Sequence, residues 1–260
     1  MHFRSVSAPT PILTALEKLV KAIVTGHSRG LGEALAIGLL ERGLEVLGVS
    51  RHSHAEMAAR FPRFSESRVD LADVAAVCRF IESPVFQAFG NAREPVILIN
   101  NAAMLQPVGR SGSLAAAEIQ QAVNVNVLGP LLLTNAVVQC ADPDLSRRIL
   151  HISSGAARTA YSGWSIYGAT KAALDHHARC VSEEGRAHVR ICSVAPGVLD
   201  TRMQADVRQL ETGQFPARER FISLKDSGQL VPPAEAAAKL LAFLFAPAFG
   251  DTPTADVRTF

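Results

Sequence analysis

The sequence predicts an α/β fold: a doubly wound parallel sheet with helices on both faces, in a single three-layer αβα domain. Three observations carry this. Short apolar runs alternate with helix-spaced segments along the chain, the pattern of parallel β-α-β units. The chain has 260 residues, 48% of them hydrophobic, enough to bury one large core. A glycine-rich turn joins the first apolar run to the first helical one, a junction where such sheets bind ligands.

The elements follow in order. Lys21–Thr25 (KAIVT) is a short apolar run that stops at a glycine, a buried-strand signal. Residues 31–42 have helical spacing and end at Gly43, a favourable C-terminal cap. Glu45–Ser50 is the second strand, 67–70 the expected third, and Val96–Asn100 a clear fourth. Residues 114–139 read as a long helix with Pro130 inside it, which calls for a kink or local break. A fifth strand is expected at 148–153, a second long helix at 165–184, and a sixth strand at Val189–Ala195. Pro233–Phe245 is the last helix, entered through Pro232-Pro233. The segment 202–231 is less regular and longer than an ordinary connection, as lids over sites often are. No repeat or linker divides the chain. Residues 20–260 form one domain behind an N-terminal extension, 1–19.

Composition narrows the function. The 26 basic and 24 acidic residues leave a net charge of +2 with no basic block, which argues against a nucleic-acid partner. Cys78, Cys140, Cys180 and Cys192 are scattered and form no CxxC pair, so neither a disulfide framework nor a zinc site is indicated; scattered thiols fit a reducing cytoplasm. The N-terminus lacks the apolar stretch of a signal peptide. No uninterrupted apolar run reaches the roughly 18–20 residues that span a bilayer. A cytoplasmic protein without a membrane partner is expected. His52 with His54, and His176 with His177, have no carboxylate or cysteine at metal-ligand spacing. The first pair reads as loop surface and the second as helix surface or subunit contact; no metal is expected.

The turn Thr25-Gly26-His27-Ser28-Arg29-Gly30-Leu31-Gly32 carries the first chemistry. Its glycines permit a tight turn and close approach to a pyrophosphate, and the free N–H groups of the helix start face the anion. Such a dinucleotide site has the Rossmann-type arrangement. An acid at the end of the second strand would select NAD. Here the chain has Ser50-Arg51-His52 and no acid before Glu56. Arg51 offers a planar fork to a 2′-phosphate, and Arg29 lies within reach from the turn. Either arginine alone reads equally well as surface; together, at the two expected places, they favour NADP.

Tyr167 and Lys171 stand four apart on the helix after the fifth strand and share one face. A free phenol, with a pKa of about 10, is a poor acid-base group near neutrality, and a neighbouring ammonium favours its ionised form. The bland alternative is a solvent-facing pair. Ser154 ends the fifth strand, where parallel sheets bind ligands, and can hydrogen-bond a carbonyl oxygen; serines before glycine also serve simply to bend the chain.

Taken together, these motifs resemble the short-chain dehydrogenase/reductase family over residues 20–203 at least. Asp70-Leu71 matches the pair beside the adenine. Asn101-Ala102-Ala103 matches the family's Asn-Ala-Gly, with Ala103 where glycine is common. Asn126-Val127-Leu128-Gly129 matches the segment of the catalytic asparagine, and Ser154 precedes Tyr167 by the family's thirteen residues. Pro196-Gly197, with Thr201 and Met203, matches the stretch over the nicotinamide. The resemblance implies that Tyr167 is the proton donor, that Lys171 binds the nicotinamide ribose and lowers the tyrosine pKa, and that Ser154 orients the carbonyl. It also implies that Asn126 holds a water linking Lys171 to solvent. Asn124 reads instead as a helix-surface amide. The family usually forms dimers or tetramers through helices corresponding to 114–139 and 165–184.

The C-terminal half resembles sepiapterin reductase and benzil-type diketone reductases in Gly163-Trp164, in the stretch 195–204 and in 224–231. The resemblance implies an NADPH-linked reductase of a ketone or vicinal diketone. Trp164 reads as the wall of an aromatic pocket or as core packing. Asp256 reads as a pterin anchor or as an ordinary polar residue of a last short strand. Two other functions remain: a reductase or dehydrogenase of another small molecule such as a 3-oxoacyl thioester, sugar or steroid, and a non-catalytic dinucleotide sensor. The sensor would usually have lost part of the set Asn126, Ser154, Tyr167 and Lys171, which is complete here.

Overall fold

A computed structural model describes residues 20–91, 93–139 and 144–259; the N-terminal extension expected at 1–19 lies outside them. The strands are β1 (Lys21–Thr25), β2 (Glu45–Ser50), β3 (Phe64–Arg68), β4 (Val96–Asn100), β5 (Arg147–Ile152), β6 (Val189–Ala195) and β7 (Thr254–Asp256). They form one sheet in the order β3-β2-β1-β4-β5-β6-β7, with every neighbouring pair parallel. The α-helices are α1 (Gly30–Glu41), α2 (Ala55–Arg60), α3 (Val74–Glu82), α4 (Pro84–Gly90), α5 (Ala116–Val123), α6 (Gly129–Gln139), α7 (Ser165–Glu183), α8 (Arg202–Gln209), α9 (Arg218–Asp226) and α10 (Pro233–Phe245).

Alternation along each strand builds the three layers, because successive side chains point to opposite faces. Ala22 and Val24 of β1, with Ile97 and Ile99 of β4, pack against Leu35 and Leu39 of α1 and Leu240 and Leu244 of α10. Ile23, Val96 and Leu98 face the other way, towards Val77 and Phe80 of α3, Phe86 of α4 and Leu133 and Val137 of α6. Each large apolar side chain so buried stabilises the fold by about 1.5–3 kcal/mol relative to exposure.

The third strand lies three residues earlier than expected, at Phe64–Arg68 rather than 67–70. It is an edge strand of sequence FSESR with only Phe64 buried, so no apolar run marks it. The break expected near Pro130 is present as one π-helical turn, Asn124–Leu128, between α5 and α6. Proline has no N–H to continue the α ladder; the Gly129 N–H instead bonds the Asn124 carbonyl five residues back. The 24-residue stretch Ala116–Gln139 has the length and hydropathy to cross a membrane. In the fold, however, its Leu133, Ala136 and Val137 pack against the sheet as a core helix does. The segment 202–231 forms α8 and α9, and its base is closed by a bridge between Leu199 and Val231.

The strand order reverses between β1 and β4. The crevice this opens at the carboxyl ends of the strands is where such sheets take ligands. The turn after β1 and the loops after β4, β5 and β6 all meet there.

Candidate active site

The glycine turn is built for close approach. Gly26 and Gly30 have φ of +70° and +61°, the left-handed region. A Cβ on Gly32 would lie 2.1 Å from the Gly26 carbonyl oxygen and 2.4 Å from Asn101 Nδ2. No side chain caps α1 at Arg29, so the N–H groups of its first turn stay available to an anion. Ser28 and the buried Leu31 complete the turn. The turn is tied to the loop after β4. Thr25 Oγ1 accepts from the Asn101 and Ala102 N–H groups at 3.0 Å, and Asn101 Nδ2 donates to the Thr25 and Gly26 carbonyls. This cradle, which any Cβ at Gly32 would fill, fits the pyrophosphate of a dinucleotide.

The other expected cofactor residues border it. Arg29 and Arg51 are exposed and, among the described residues, make no ion pair. Asp70 Oδ1 accepts from the Ala72 N–H at 2.9 Å, and Leu71 is buried. Asn124 is not the helix-surface amide expected: its Nδ2 donates to the Ala72 carbonyl at 2.8 Å, bracing the Asp70-Leu71 turn. Beyond β6, Pro196 is buried and Gly197 has φ +81°. Thr201 caps α8 through the Gln204 N–H, and its methyl would lie 3.7 Å from a Cβ on Gly30. Met203 packs in a cluster with Tyr167 and Trp164. The stretch 196–203 thus comes back against the glycine turn.

Ser154, Tyr167, Lys171 and Asn126 converge between β5, α7 and the π-turn. Tyr167 is buried; burial pushes its phenol above the ordinary value, and a hydrogen bond with Ser154 works against that rise. Lys171 Nζ donates to the Ile152 carbonyl at 2.7 Å and lies 5.9 Å from the centre of the Tyr167 ring. Burial pulls the Lys171 ammonium down to about 8, with the Asp175 carboxylate opposing. The net shift of the Tyr167 phenol is upward, set by desolvation. Asn126 is fully buried and its amide is engaged by protein: Oδ1 accepts from the Met104 N–H, and Nδ2 donates to the Met104 carbonyl and to Thr170 Oγ1.

Trp164 is buried and packed among aromatic side chains. It stacks on Phe215 at 4.4 Å and meets Tyr161, Tyr167 and Phe221 edge-on. It also borders an open cleft of about 420 Å³ with Tyr161, Ser165 and Gly168, a cleft that Ser154, Tyr167 and Lys171 do not line; among the described residues its buried indole nitrogen has no hydrogen-bond partner. Asp256 ends β7 in register with Ala195, next to Pro196. Its carboxylate is held by the Arg258 guanidinium at 2.6 and 2.8 Å, which keeps it below the usual carboxylate range.

The family model for short-chain dehydrogenases matches residues 20–212. The chain belongs to the short-chain dehydrogenase family. It is similar to the benzil reductase ((S)-benzoin forming) of Bacillus subtilis, 33% identical over 226 residues that cover 85% of this chain and 92% of that one. It is also similar to the sepiapterin reductase of Xenopus laevis, 32% identical over 245 residues covering 88% and 92%. A short-chain dehydrogenase/reductase crystal structure from Burkholderia vietnamiensis matches with a TM-score of 0.67 at 42% identity, over 94% of this chain and 99% of that one. The protein is thus an oxidoreductase of carbonyl or alcohol groups, with resemblance to the benzil and sepiapterin reductase subgroup.

Several residues that shape this dehydrogenase site escaped the motif reading. Asp175, 3% exposed, accepts from Ser153 Oγ, Ser193 Oγ and Arg158 Nε, fixing α7 to β5 and β6. The signal was present: Tyr167, Lys171 and Asp175 follow at intervals of four on one helical face. His54 is not loose loop surface, since Nδ1 caps α2 and Nε2 meets Glu33 at 2.9 Å. His177 turns partly inward, its Nδ1 3.1 Å from Nε2 of buried His151.

Proposed function

We propose that the protein is an NADPH-dependent carbonyl reductase of aromatic ketones or vicinal diketones, of the benzil or sepiapterin kind. The observation that carries this reading is the buried Tyr167, paired with half-buried Ser154, set beside Lys171 and against Trp164. Ser154 and Tyr167 both present hydroxyls to one carbonyl oxygen. Because burial raises the Tyr167 pKa, the phenol is protonated at neutral pH, the form that gives a proton. Lys171 supplies positive charge beside the phenolate left behind. When bound, the reduced nicotinamide supplies the hydride. Exposed Arg51, unpaired at the end of β2, with Arg29 in the turn, supports selection of the 2′-phosphate.

The aromatic group of Trp164, Tyr161, Phe215 and Phe221 suits a flat aryl substrate. Helices α8 and α9 supply Phe221, Met203 and Val207 to this cluster, in keeping with a covering role for 202–231. The same reading includes a cytoplasmic homodimer or homotetramer joined through α5–α6 and α7, where Val123 is an exposed apolar side chain. The test is a panel of benzil, sepiapterin, 3-oxoacyl esters, sugars and steroids, each with NADPH and with NADH. Fastest turnover of an aryl diketone or pterin with NADPH is expected. Preference for a sugar, steroid or thioester, or for NADH, would replace the reading. No turnover of any member would favour the sensor.

A further inference from the structure

We propose that Glu66 is the positioning residue for cofactor choice, holding the loop that carries Arg51 against the glycine turn; this rests on the NADP reading above. Glu66 lies on β3 opposite Gly48 of β2. Gly48 is where the arrangement begins. A Cβ there would lie 2.5 Å from the His27 ring, so only glycine lets that ring cross β2. His27 comes from the glycine turn and is 1% exposed. Lying across Gly48, its Nε2 reaches Glu66 Oε2 at 3.1 Å.

The same oxygen accepts the His54 backbone N–H at 2.9 Å, and the nearby Ser53 hydroxyl helps to hold the carboxyl down. Burial raises the Glu66 pKa, but these donors more than offset it and leave the group below its ordinary value. One carboxylate therefore joins the turn to His54. The other end of the short segment is fixed by Ser50, whose Oγ accepts from the His52 N–H at 3.2 Å. Arg51 stands between these two anchors, exposed and without an ion pair among the described residues. His54 adds a further tie, from Nε2 to Glu33 of α1. Of the charged and titratable groups around the loop, Glu33, His54, Glu66 and His27 are engaged with one another or with backbone, while Arg29, Arg51, His52 and Arg68, the last in register with Ser50, are exposed. Glu66 sits beneath the loop with its charge committed to protein donors, so it orients the arginine without offering a carboxylate to a 2′-hydroxyl.

The consequence is a selective loss. Without the carboxylate the loop samples other conformations, and apparent affinity falls with the fraction in which Arg51 is placed. The pyrophosphate cradle, built on Gly26, Gly32 and Asn101, loses the His27 tie but keeps its own bonds between Thr25, Gly26, Asn101 and Ala102. The experiment measures binding of 2′,5′-ADP and 5′-AMP by calorimetry to the wild type, Glu66→Ala, Glu66→Gln and Arg51→Ala, with NADPH and NADH kinetics alongside. Glu66→Ala is expected to weaken 2′,5′-ADP about tenfold, leave 5′-AMP unchanged, and raise the KM for NADPH while kcat at saturation stays the same. Glu66→Gln, which keeps an acceptor for the His54 N–H, is expected to lose a few-fold on 2′,5′-ADP alone, and it remains informative if the alanine variant does not fold. If Arg51→Ala loses the preference for 2′,5′-ADP while both Glu66 variants keep it, the positioning role is overturned and the NADP reading survives. Equal weakening of both nucleotides by the Glu66 variants also overturns it, as general damage to the turn. A wild type that does not distinguish the two nucleotides overturns the NADP reading and this inference together.

Discussion

Replacing Lys171 by methionine should abolish reduction and, at neutral pH, cost the ligand-free fold little or nothing. The lysine is 2% exposed, and burial draws its ammonium from 10.5 down to about 8. Between those two pH values the unfolded chain binds a proton that the native state does not, so native stability rises as pH is raised through the window. Below it, the native state carries the buried ammonium at a cost of about 3 kcal/mol relative to the unfolded chain, from 1.36 kcal/mol per pKa unit. Methionine removes that cost. It also leaves the Ile152 carbonyl without its 2.7 Å donor, a loss of about 1–3 kcal/mol. The two nearly cancel at pH 7. At pH 10 the first has mostly vanished and the second remains, so the variant should lose roughly 2 kcal/mol relative to wild type between pH 7 and pH 10. Urea denaturation of both proteins without cofactor, at the two pH values, measures the change. A stability difference that is the same at pH 7 and pH 10 would refute the reasoning.

Three further outcomes are expected. Tyr167→Phe should lower turnover by at least ~10²–10⁴-fold, the usual worth of acid-base catalysis, with NADPH binding unchanged by fluorescence titration; near-normal turnover would remove Tyr167 as the proton donor. Gly32→Ala should abolish cofactor binding in the same titration while the protein stays folded by circular dichroism, because the new Cβ would fall 2.1 Å from the Gly26 carbonyl. Asp256→Ala should raise the KM for sepiapterin about ten- to a hundredfold, the loss of one hydrogen bond to a charged group, and leave benzil nearly unaffected, whereas Trp164→Ala should harm benzil at least as much as the pterin; since Arg258 already occupies the Asp256 carboxylate, unchanged sepiapterin kinetics would assign Asp256 to that ion pair alone.

Much of this fold was legible because buried parallel strands carry continuous apolar runs. The runs 21–25, 45–50, 96–100 and 189–195 coincide with β1, β2, β4 and β6. The edge strand β3 was displaced because FSESR has one buried apolar residue and no run to follow. At the site, local spacing was informative: Tyr167 and Lys171 share a helix face, and the glycine turn falls between β1 and α1. What spacing cannot show is contact across the fold. His27 and Glu66 stand 39 positions apart and meet only because Gly48, which reads as a weak spot in a strand, leaves room for the ring. Asn124 reads as surface until the Ala72 carbonyl, 52 positions away, is brought to it. The Asp256–Arg258 pair lies two residues apart, yet only the geometry of β7 and the turn after it shows the carboxylate already engaged.

The strand order has a practical implication for redesign. Arg51 and Glu66 sit at the β2–β3 flank of the sheet, while Pro196, Gly197 and Asp256 sit at the β6–β7 flank. Four strand spacings of ~4.8 Å place β2 about 19 Å from β6, beyond the range at which substitutions usually influence one another. On the proposed function, nucleotide preference and substrate range should be separately adjustable through the 50–54 loop and the residues near β7. A library that varies residues 50–54 can be screened for economical use of NADH, another that varies 158–164 and 254–258 for new ketones, and the best of each combined with their gains intact.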